Sequence, residues 1–133
     1  MIENAIRLRL LQVPDVTDTT DDRVTHGVAD QSERRARIVL TLLDEVPEYT
    51  FDGPSFSTAT VQVACLAKIY REAHDLAVAV RAALDCFSGT IGSVAVKHIE
   101  IESVEEIQSE NIDGKAVPTF GRRVTVRAMS QEI

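Results

Sequence analysis

Large aromatic side chains and cysteines are scarce in this sequence. The 133 residues contain no tryptophan, two tyrosines and four phenylalanines, so Val, Ile, Leu and Ala must fill the core. The two cysteines, Cys65 and Cys86, have a spacing that fits neither a disulfide framework nor a metal knuckle. No apolar run approaches the length of about 20 residues that a membrane-spanning helix needs, and the N-terminal residues open no apolar signal segment. We therefore expect folding in a reducing, cytosolic compartment without a membrane partner.

Basic residues are also in the minority. The sequence has 14 Lys and Arg against 21 Asp and Glu, which gives a formal net charge of −7. A chain this acidic is poorly suited to bind nucleic acid by neutralising phosphates. The hydrophobic fraction of 44% is ordinary, so the chain should fold as a single domain over residues 1–133.

The strongest pattern is a strand that leads directly into a long helix. Residues Ser57–Ala67 alternate between apolar and mostly polar side chains, as in a strand with one buried face. From Ile69 to Phe87 the apolar residues instead recur at steps of three and four, which predicts an amphipathic helix. Ser88-Gly89 should stop this helix, with Gly89 in the left-handed conformation. We expect its buried stripe to pack against the strand, with the central contacts made by Leu76, Val80 and Leu84 on Val61 and Val63.

Weaker patterns precede this unit. Apolar residues at helical spacing predict a first helix over Ile2–Val13, ended by Pro14. Asp15–Arg35 has neither period and is interpreted as an irregular, mobile connection. Ala36–Leu43 alternates and predicts a strand, and the Pro- and Gly-containing segment Asp44–Ser55 predicts a long loop back to the next strand.

The C-terminal third predicts a long hairpin. Its first arm, Ser93–Ile107, changes phase near Lys97-His98, which indicates a β-bulge. Asp113-Gly114 is a turn signal, and Thr119–Met129 forms the second arm. The expected fold is therefore α+β in the order α-β-β-α-β-β. It has a four-stranded, mainly antiparallel sheet, two helices on one face and a long projecting C-terminal hairpin, whose tip near residues 109–116 should be mobile.

The sequence contains no constellation that predicts catalysis. It has no glycine-rich phosphate loop, no nucleophilic serine elbow and no paired metal-ligand spacing. The three histidines, His26, His74 and His98, are far apart, and Cys65 reads as a small buried hydrophobe. The acidic run Glu100–Glu110 would be splayed by strand alternation rather than converge on a cation. We therefore expect no catalytic, cofactor-binding or metal-binding residues, and no enzymatic activity.

The arms of the C-terminal hairpin carry opposite charges. The first arm is acidic and the returning arm is basic, so each could pair sideways with the opposite arm of a neighbouring copy. This predicts a candidate subunit interface that consists of Glu102, Glu105, Arg122, Arg123 and Arg127. The alternative is that these charges pair only within their own hairpin. The sheet face away from the helices is polar, and either it is wet or it packs against another copy.

A series of short segments resembles a known family when read in order. These are MIE at 1–3 before an Arg/Leu helix, DRV at 22–24, DGP at 52–54, VQVAC at 61–65, YREA at 70–73, LAVAVRAAL at 76–84, FSGT at 87–90, GSV at 92–94 and RVTVR at 123–127. Their order and spacing resemble the tail completion family of tailed bacteriophages and prophages, also called tail terminator or head-tail joining proteins. Residues 25–34 depart from it, because they are mostly polar and charged where the family carries Pro, Gly and an aromatic residue.

The resemblance implies a non-enzymatic structural protein of the virion, located at the tail or neck and assembled in the host cytoplasm. It implies a homo-oligomer, a hexameric ring that caps the finished tail tube. The implied partners are the tail tube protein and the head-neck connector proteins, with no specific nucleic-acid binding and no cofactor. Two alternatives stay open: another ring protein of the phage neck or tail tube, or a small ligand-binding or enzymatic α+β domain.

Overall fold

The fold is known from a computed structural model that describes residues 2–20, 23–26, 36–50, 53–109 and 119–132. Over these residues the chain forms three helices and six strands. In chain order they are α1 (Ile2–Leu11), α2 (Pro14–Thr20), β1 (Val24–His26), β2 (Arg37–Thr50), β3 (Gly53–Ala67), α3 (Tyr70–Leu84), β4 (Gly89–Ile91), β5 (Val94–Ser109) and β6 (Thr119–Glu132).

The strands form one curled, mixed sheet in the order β1-β2-β3-β6-β5-β4. Strand β1 runs parallel to β2, and every other neighbouring pair is antiparallel. The prediction of a four-stranded sheet with two helices is therefore wrong. The two additional strands each contain three residues, which is too short for an alternating pattern to be visible.

The additional helix lies in the segment that was interpreted as an irregular connection. α1 ends at Leu11, two residues before the predicted end at Val13, and Pro14 is the first residue of α2, where a fixed φ and a missing N–H are tolerated. The sequence of α2, PDVTDTT, has low helix propensity. Val16 and Thr20 lie one turn apart and are both buried, so tertiary packing stabilises the helix. Residues 27–35 of the predicted mobile segment lie outside the described residues.

The predicted core is confirmed. Leu76, Val80 and Leu84 of α3 are fully buried and belong to the same apolar cluster as Val61 and Val63 of β3. The helices cover one face of the sheet, with α1 packed on α3 and on the β1–β2 side. Ile69 is the exception in the predicted stripe, because it precedes the first turn of α3 and is exposed.

The hairpin between β2 and β3 extends beyond the neighbouring strand β6. Strands β2 and β3 stay paired as far as Thr50 and Gly53, so the long loop predicted over Asp44–Ser55 is wrong. Their arms continue three pairs beyond the last contact of β3 with β6, at Ser57 and Ser130. Proline is tolerated here because β2 is an edge strand along this stretch.

At the other end of the sheet, the described arms of the β5–β6 hairpin finish almost level with β3. Phe120 pairs with both Ala67 and Gln108, and only the pair of Ser109 and Thr119 lies further out. The described arms of this hairpin therefore do not project as predicted, because β6 is paired with β3 along the whole of Ser57–Ala67. Its tip, including Asn111–Lys115, lies outside the described residues.

Register shifts interrupt three of the long strands, and the one in β3 leaves Ser55 as an extra residue. The register of β5 shifts between Val96 and His98, which confirms the predicted bulge and identifies Lys97 as the extra residue. A second shift, between Ile101 and Ser103, makes Glu102 an extra residue as well. In β2, Leu43 is the extra residue between Leu42 and Asp44. A bulge increases the local twist, in keeping with the curl of the sheet.

The end of α3 differs from the expected glycine stop. Cys86, not Gly89, takes the left-handed conformation after the helix, with φ of 58°. Its backbone N–H donates to the carbonyl of Ile99 at 3.0 Å, which ties the helix end to β5. At the start of α3, Ile69 provides no side-chain cap.

Candidate subunit interface

The predicted interface residues lie on two faces of the β5–β6 hairpin. Arg123 and Arg127 point to the face away from the helices, opposite Glu105 and Glu100 in the ladder. Arg122 is one residue along from Arg123 and therefore points to the helix side of the sheet. The five candidate residues thus do not form one continuous patch.

Two of the predicted pairs form within the hairpin itself. Arg127 Nη2 donates to Glu102 Oε1 at 3.1 Å, with side chains 51% and 42% exposed. Arg123 Nη1 lies 3.6 Å from Glu105 Oε2. Exposed pairs of this kind contribute about 0–1 kcal/mol and are screened by salt. The monomer therefore accounts for these four charges, and their role between subunits stays a prediction.

Arg122 makes different contacts, at the end of the sheet where α3 begins. Its Nη2 donates to the Tyr70 hydroxyl at 2.9 Å, and its guanidinium carbon lies 5.8 Å from the centre of the Tyr70 ring. Tyr70 in turn meets Phe120 edge to face, with ring centroids 5.9 Å apart. An arginine stacked on exposed aromatic rings is a common feature of protein–protein contact surfaces.

Further basic residues lie beside Tyr70 in the sequence. The segment Lys68, Ile69, Tyr70 and Arg71 joins β3 to α3, and all four residues are exposed. The Arg71 side chain is 89% exposed, and its contact with Asp75 is long, at 3.9 Å. We call Lys68–Arg71 together with Arg122 the basic patch.

A second exposed surface lies on the projecting hairpin. Leu42, Leu43 and Val46 of β2 are exposed, and Asp44 and Glu45 lie between them. We call Leu42–Val46 the acidic segment. The sequence does not reveal either surface as an exposed apolar patch, because Leu42 and Ile69 each continue a regular series of residues predicted to be buried. The sequence carries one signal, which is that Leu42 and Leu43 are adjacent. Adjacent side chains in a strand point to opposite faces, so one of the two leucines should face away from the core. In the structure Leu43 is the extra residue of a bulge.

The residues considered for catalysis are not brought together. His26 and His98 are exposed and lie on strands β1 and β5, which are four positions apart in the sheet order, and His74 is on the solvent side of α3. Burial raises the pKa of the Cys65 thiol to about 12, so this cysteine stays protonated at neutral pH. Over the described residues, no group of three His, Cys, Asp or Glu side chains is placed to hold a metal ion. Within the same residues, no helix combines the length and the apolarity needed to cross a membrane.

Shallow grooves follow the outer side of α3. One, of about 380 Å³, lies between α2 and α3, and the other, of about 330 Å³, lies nearer the end of α3. Val78 and Ala82 contribute to both, with Asp75 and Asp15 on the rim of the first and Arg81 and Asp85 on the rim of the second. Both are open surface features without converging polar groups.

Comparison with known proteins identifies a structural likeness. No protein-family model matches the chain, and no curated protein matches it in sequence. Among solved structures, the fold is similar to a chain in the virion of a native gene transfer agent particle, with a TM-score of 0.77. The match covers 97% of this chain and 93% of that chain at 13% sequence identity. At this identity the likeness shows a shared fold.

Proposed function

We propose that this protein is a structural component of a phage-type virion, which caps the tail tube as a ring and joins the tail to the head connector. One combination of observations carries the proposal. The ordered motifs of the sequence resemble the tail completion family, and the fold is similar over nearly its whole length to a chain of a gene transfer agent virion. The role is that of a non-enzymatic, assembling protein, found in the virion and assembled in the host cytoplasm.

A ring requires two different surfaces on each subunit, one for each neighbour. The described residues offer such surfaces in the charged arms of the β5–β6 hairpin, in the basic patch and in the acidic segment. Six copies is the number that the family resemblance implies. The ring would present one side to the tail tube protein and the other to the head-neck connector.

Deletion of the gene in the phage or prophage that encodes it tests this proposal. A cap both stops growth of the tube and provides the joint to the head. Electron microscopy of lysates should therefore show tails of irregular, excessive length that carry no heads, and a plasmid copy of the gene should restore normal particles. The control is a plasmid with the same gene interrupted by a stop codon.

The same images test the second candidate, another ring protein of the neck or tail tube. Tails of normal length that lack heads would identify a neck protein rather than a tail cap. Loss of tubes altogether would identify a tube component. Normal particles would overturn the virion role.

A further inference from the structure

The basic patch and the acidic segment are complementary in both charge and apolarity. Among the described residues, every large exposed hydrophobic side chain except Val78 belongs to one of these two surfaces: Leu42, Leu43 and Val46 on one side, Ile69 and Tyr70 on the other. The acidic segment adds Asp44 and Glu45 to its apolar side chains, and the basic patch adds Lys68, Arg71 and Arg122. Each surface therefore combines an apolar centre with charges opposite to those of the other.

One molecule cannot bring these surfaces together. Leu42 pairs with Val61, whereas Lys68 directly follows Ala67, so the surfaces are separated by at least six residues of β3. At about 3.3 Å per residue this is roughly 20 Å along a strand that is hydrogen-bonded on both sides. The ladder fixes the distance, so a contact between the two surfaces must join two molecules.

We infer that the acidic segment of one copy docks on the basic patch of a second copy of this chain. The contact is heterologous, because each copy uses one surface toward one neighbour and the other surface toward the next. The inference rests on the proposed ring, to which it adds the residues that join neighbouring subunits. The edge of β2 would dock as a whole, so both of its faces contribute: Asp44 and Val46 lie opposite Thr60 and Thr58 on the face away from the helices, and Leu42 and Glu45 lie opposite Val61 and Ala59 on the helix side. Against this edge the basic patch would place the apolar side chains of Ile69 and Tyr70 and the charges of Lys68 and Arg71.

The charge balance around the basic patch favours this partner. Glu106 lies opposite Arg122 in the ladder, and so partly balances it within the hairpin. Asp75 lies 3.9 Å from Arg71, a distance at which two highly exposed side chains gain little. Lys68 and Arg71 are therefore the charges most available to an acidic partner.

Edge-to-edge pairing of copies is the obvious competing contact, and the charges disfavour it. Among the described residues, β1 pairs with β2 only at Ile38–Leu40 and β4 pairs with β5 only at Val94–Val96, so the remaining edges of β2 and β5 have no strand neighbour there. Joining these edges would set Asp44 and Glu45 of β2 against an edge of β5 that is itself acidic, with Glu100, Glu102, Glu105 and Glu106, and like charges across strands are destabilising.

Sedimentation velocity over a range of concentrations at low salt tests the inference. The wild type should associate, and the variants Asp44→Lys/Glu45→Lys and Lys68→Glu/Arg71→Glu should each do so at least about tenfold more weakly, because each places like charges across the contact. An equimolar mixture of the two variants should regain association, because each then meets a partner of opposite charge. Controls with the same changes in net charge elsewhere, Asp15→Lys/Asp18→Lys and Arg81→Glu/Lys97→Glu, should behave like the wild type.

The apolar part of the contact has a matched pair of substitutions. Val46 and Val78 are each 51% exposed, so Val46→Ser and Val78→Ser remove the same group from equally accessible sites. Only Val46→Ser should weaken association. Circular dichroism and thermal melting of each variant establish that it is folded.

Several outcomes would overturn the inference. These are a wild type that stays monomeric at every concentration, charge variants that associate like the wild type, and a mixture that regains nothing. Tail binding separates this inference from the proposed function. If the protein caps tail tubes but does not associate through these surfaces, the proposed function holds and the inferred contact is wrong. If it associates through these surfaces but binds no tail tube, the inferred contact holds and the proposed function is wrong.

Discussion

Arg127 and Glu102 are joined by a 3.1 Å contact across the β5–β6 hairpin, and Glu102 reaches it from a bulge. Glu102 has no directly opposite residue in β6, yet it forms an ion pair with that strand. This contact gives the predicted hairpin interface a specific competitor, because a charge that is already paired inside the monomer has less to gain from a neighbour.

Reversal of the hairpin charges, together with the mixing experiment described next, decides between these two accounts; the mixture is needed because Arg122 also belongs to the basic patch. If the arms pair with neighbouring copies, Arg122→Glu/Arg123→Glu should weaken association through like-charge repulsion, and added salt should weaken wild-type association as well. Light scattering at low salt measures the effect. Arg81→Glu/Lys97→Glu is the control, since it changes the net charge equally at exposed residues outside the five candidate interface residues.

Restoration should be attempted in a second chain rather than in the same one. Glu102→Arg/Glu105→Arg placed in the same chain would repair pairs within the hairpin and between subunits alike. A mixture of the two separate variants regains association only if the arms pair between subunits. Wild-type behaviour of the Arg122→Glu/Arg123→Glu variant would exclude these arms as the contact.

The core allows a comparison of the same substitution on two sides of one helix. Val80 is fully buried, whereas Val78 is 51% exposed, and both lie within α3. Val80→Ala should lower the free energy of unfolding by about 1–3 kcal/mol through lost transfer energy and a residual cavity. Val78→Ala should change it by less than about 0.5 kcal/mol. Chemical denaturation measures both, and equal effects would contradict the packing of α3 on the sheet.

The left-handed residue after α3 predicts a stabilising change. Cys86 has φ of 58°, a conformation that glycine adopts without steric cost. Cys86→Gly relieves about 1–2 kcal/mol of left-handed strain and loses about 0.5–1 kcal/mol through the greater entropy of the unfolded chain. The free energy of unfolding should therefore rise by about 0.5–1 kcal/mol. At the neighbouring Asp85, where φ is −63°, the same replacement should lower it, because glycine there only increases the entropy of the unfolded chain. A lower melting temperature for Cys86→Gly would contradict the strain argument.

The two cysteines should differ in reactivity and in pH dependence. The negative charge of Asp85, followed by desolvation, a hydrogen bond to Asp85 and the charge of Glu100, raises the pKa of Cys86 above its ordinary value. Because the thiolate is the reactive form, labelling of Cys86 by a disulfide reagent should be slow at pH 8 and accelerate as the pH rises. Asp85→Asn lowers this pKa and should speed labelling at pH 8.

Cys65 serves as the internal comparison. It is buried, with a pKa of about 12, so it should react only after the chain unfolds. The reagent should therefore label one thiol in the native protein and both thiols in the denatured protein. Reaction of Cys65 in the native state at the rate of Cys86 would contradict its burial in the sheet.

The elements that the sequence predicted well are those with a long period. The stripe of α3 repeats over four turns, and the alternation of β3 continues through Ala67, so Leu76, Val80, Val61 and Val63 were identifiable as core. In β5 a change of phase was itself the signal, which located the bulge at Lys97. In each case many residues report the same structure, and their agreement is what makes the prediction possible.

The errors occurred where few residues carry the signal or where two signals conflict. β1 and β4 are too short to show a period, and α2 is stabilised by packing despite low propensity. In Asp44–Ser55 the turn-forming residues Pro47, Gly53 and Pro54 suggested a loop, but an edge strand tolerates them. The exposed apolar side chains of the acidic segment could not be predicted from the sequence. Exposure of Leu42 depends on which other elements pack over β2, and the local sequence carries no information about that.

Three of the four extra residues identified by the register shifts share one property. Leu43, Lys97 and Glu102 are all exposed, while the strands on either side keep their buried positions. A single inserted residue can therefore add one outward side chain at little cost to the interior. Gain or loss of such residues offers this fold a route to change what its surface recognises while the pattern that folds it stays the same. Relatives with little sequence in common could then differ in partners by insertions of one residue, which an alignment of core positions would pass over.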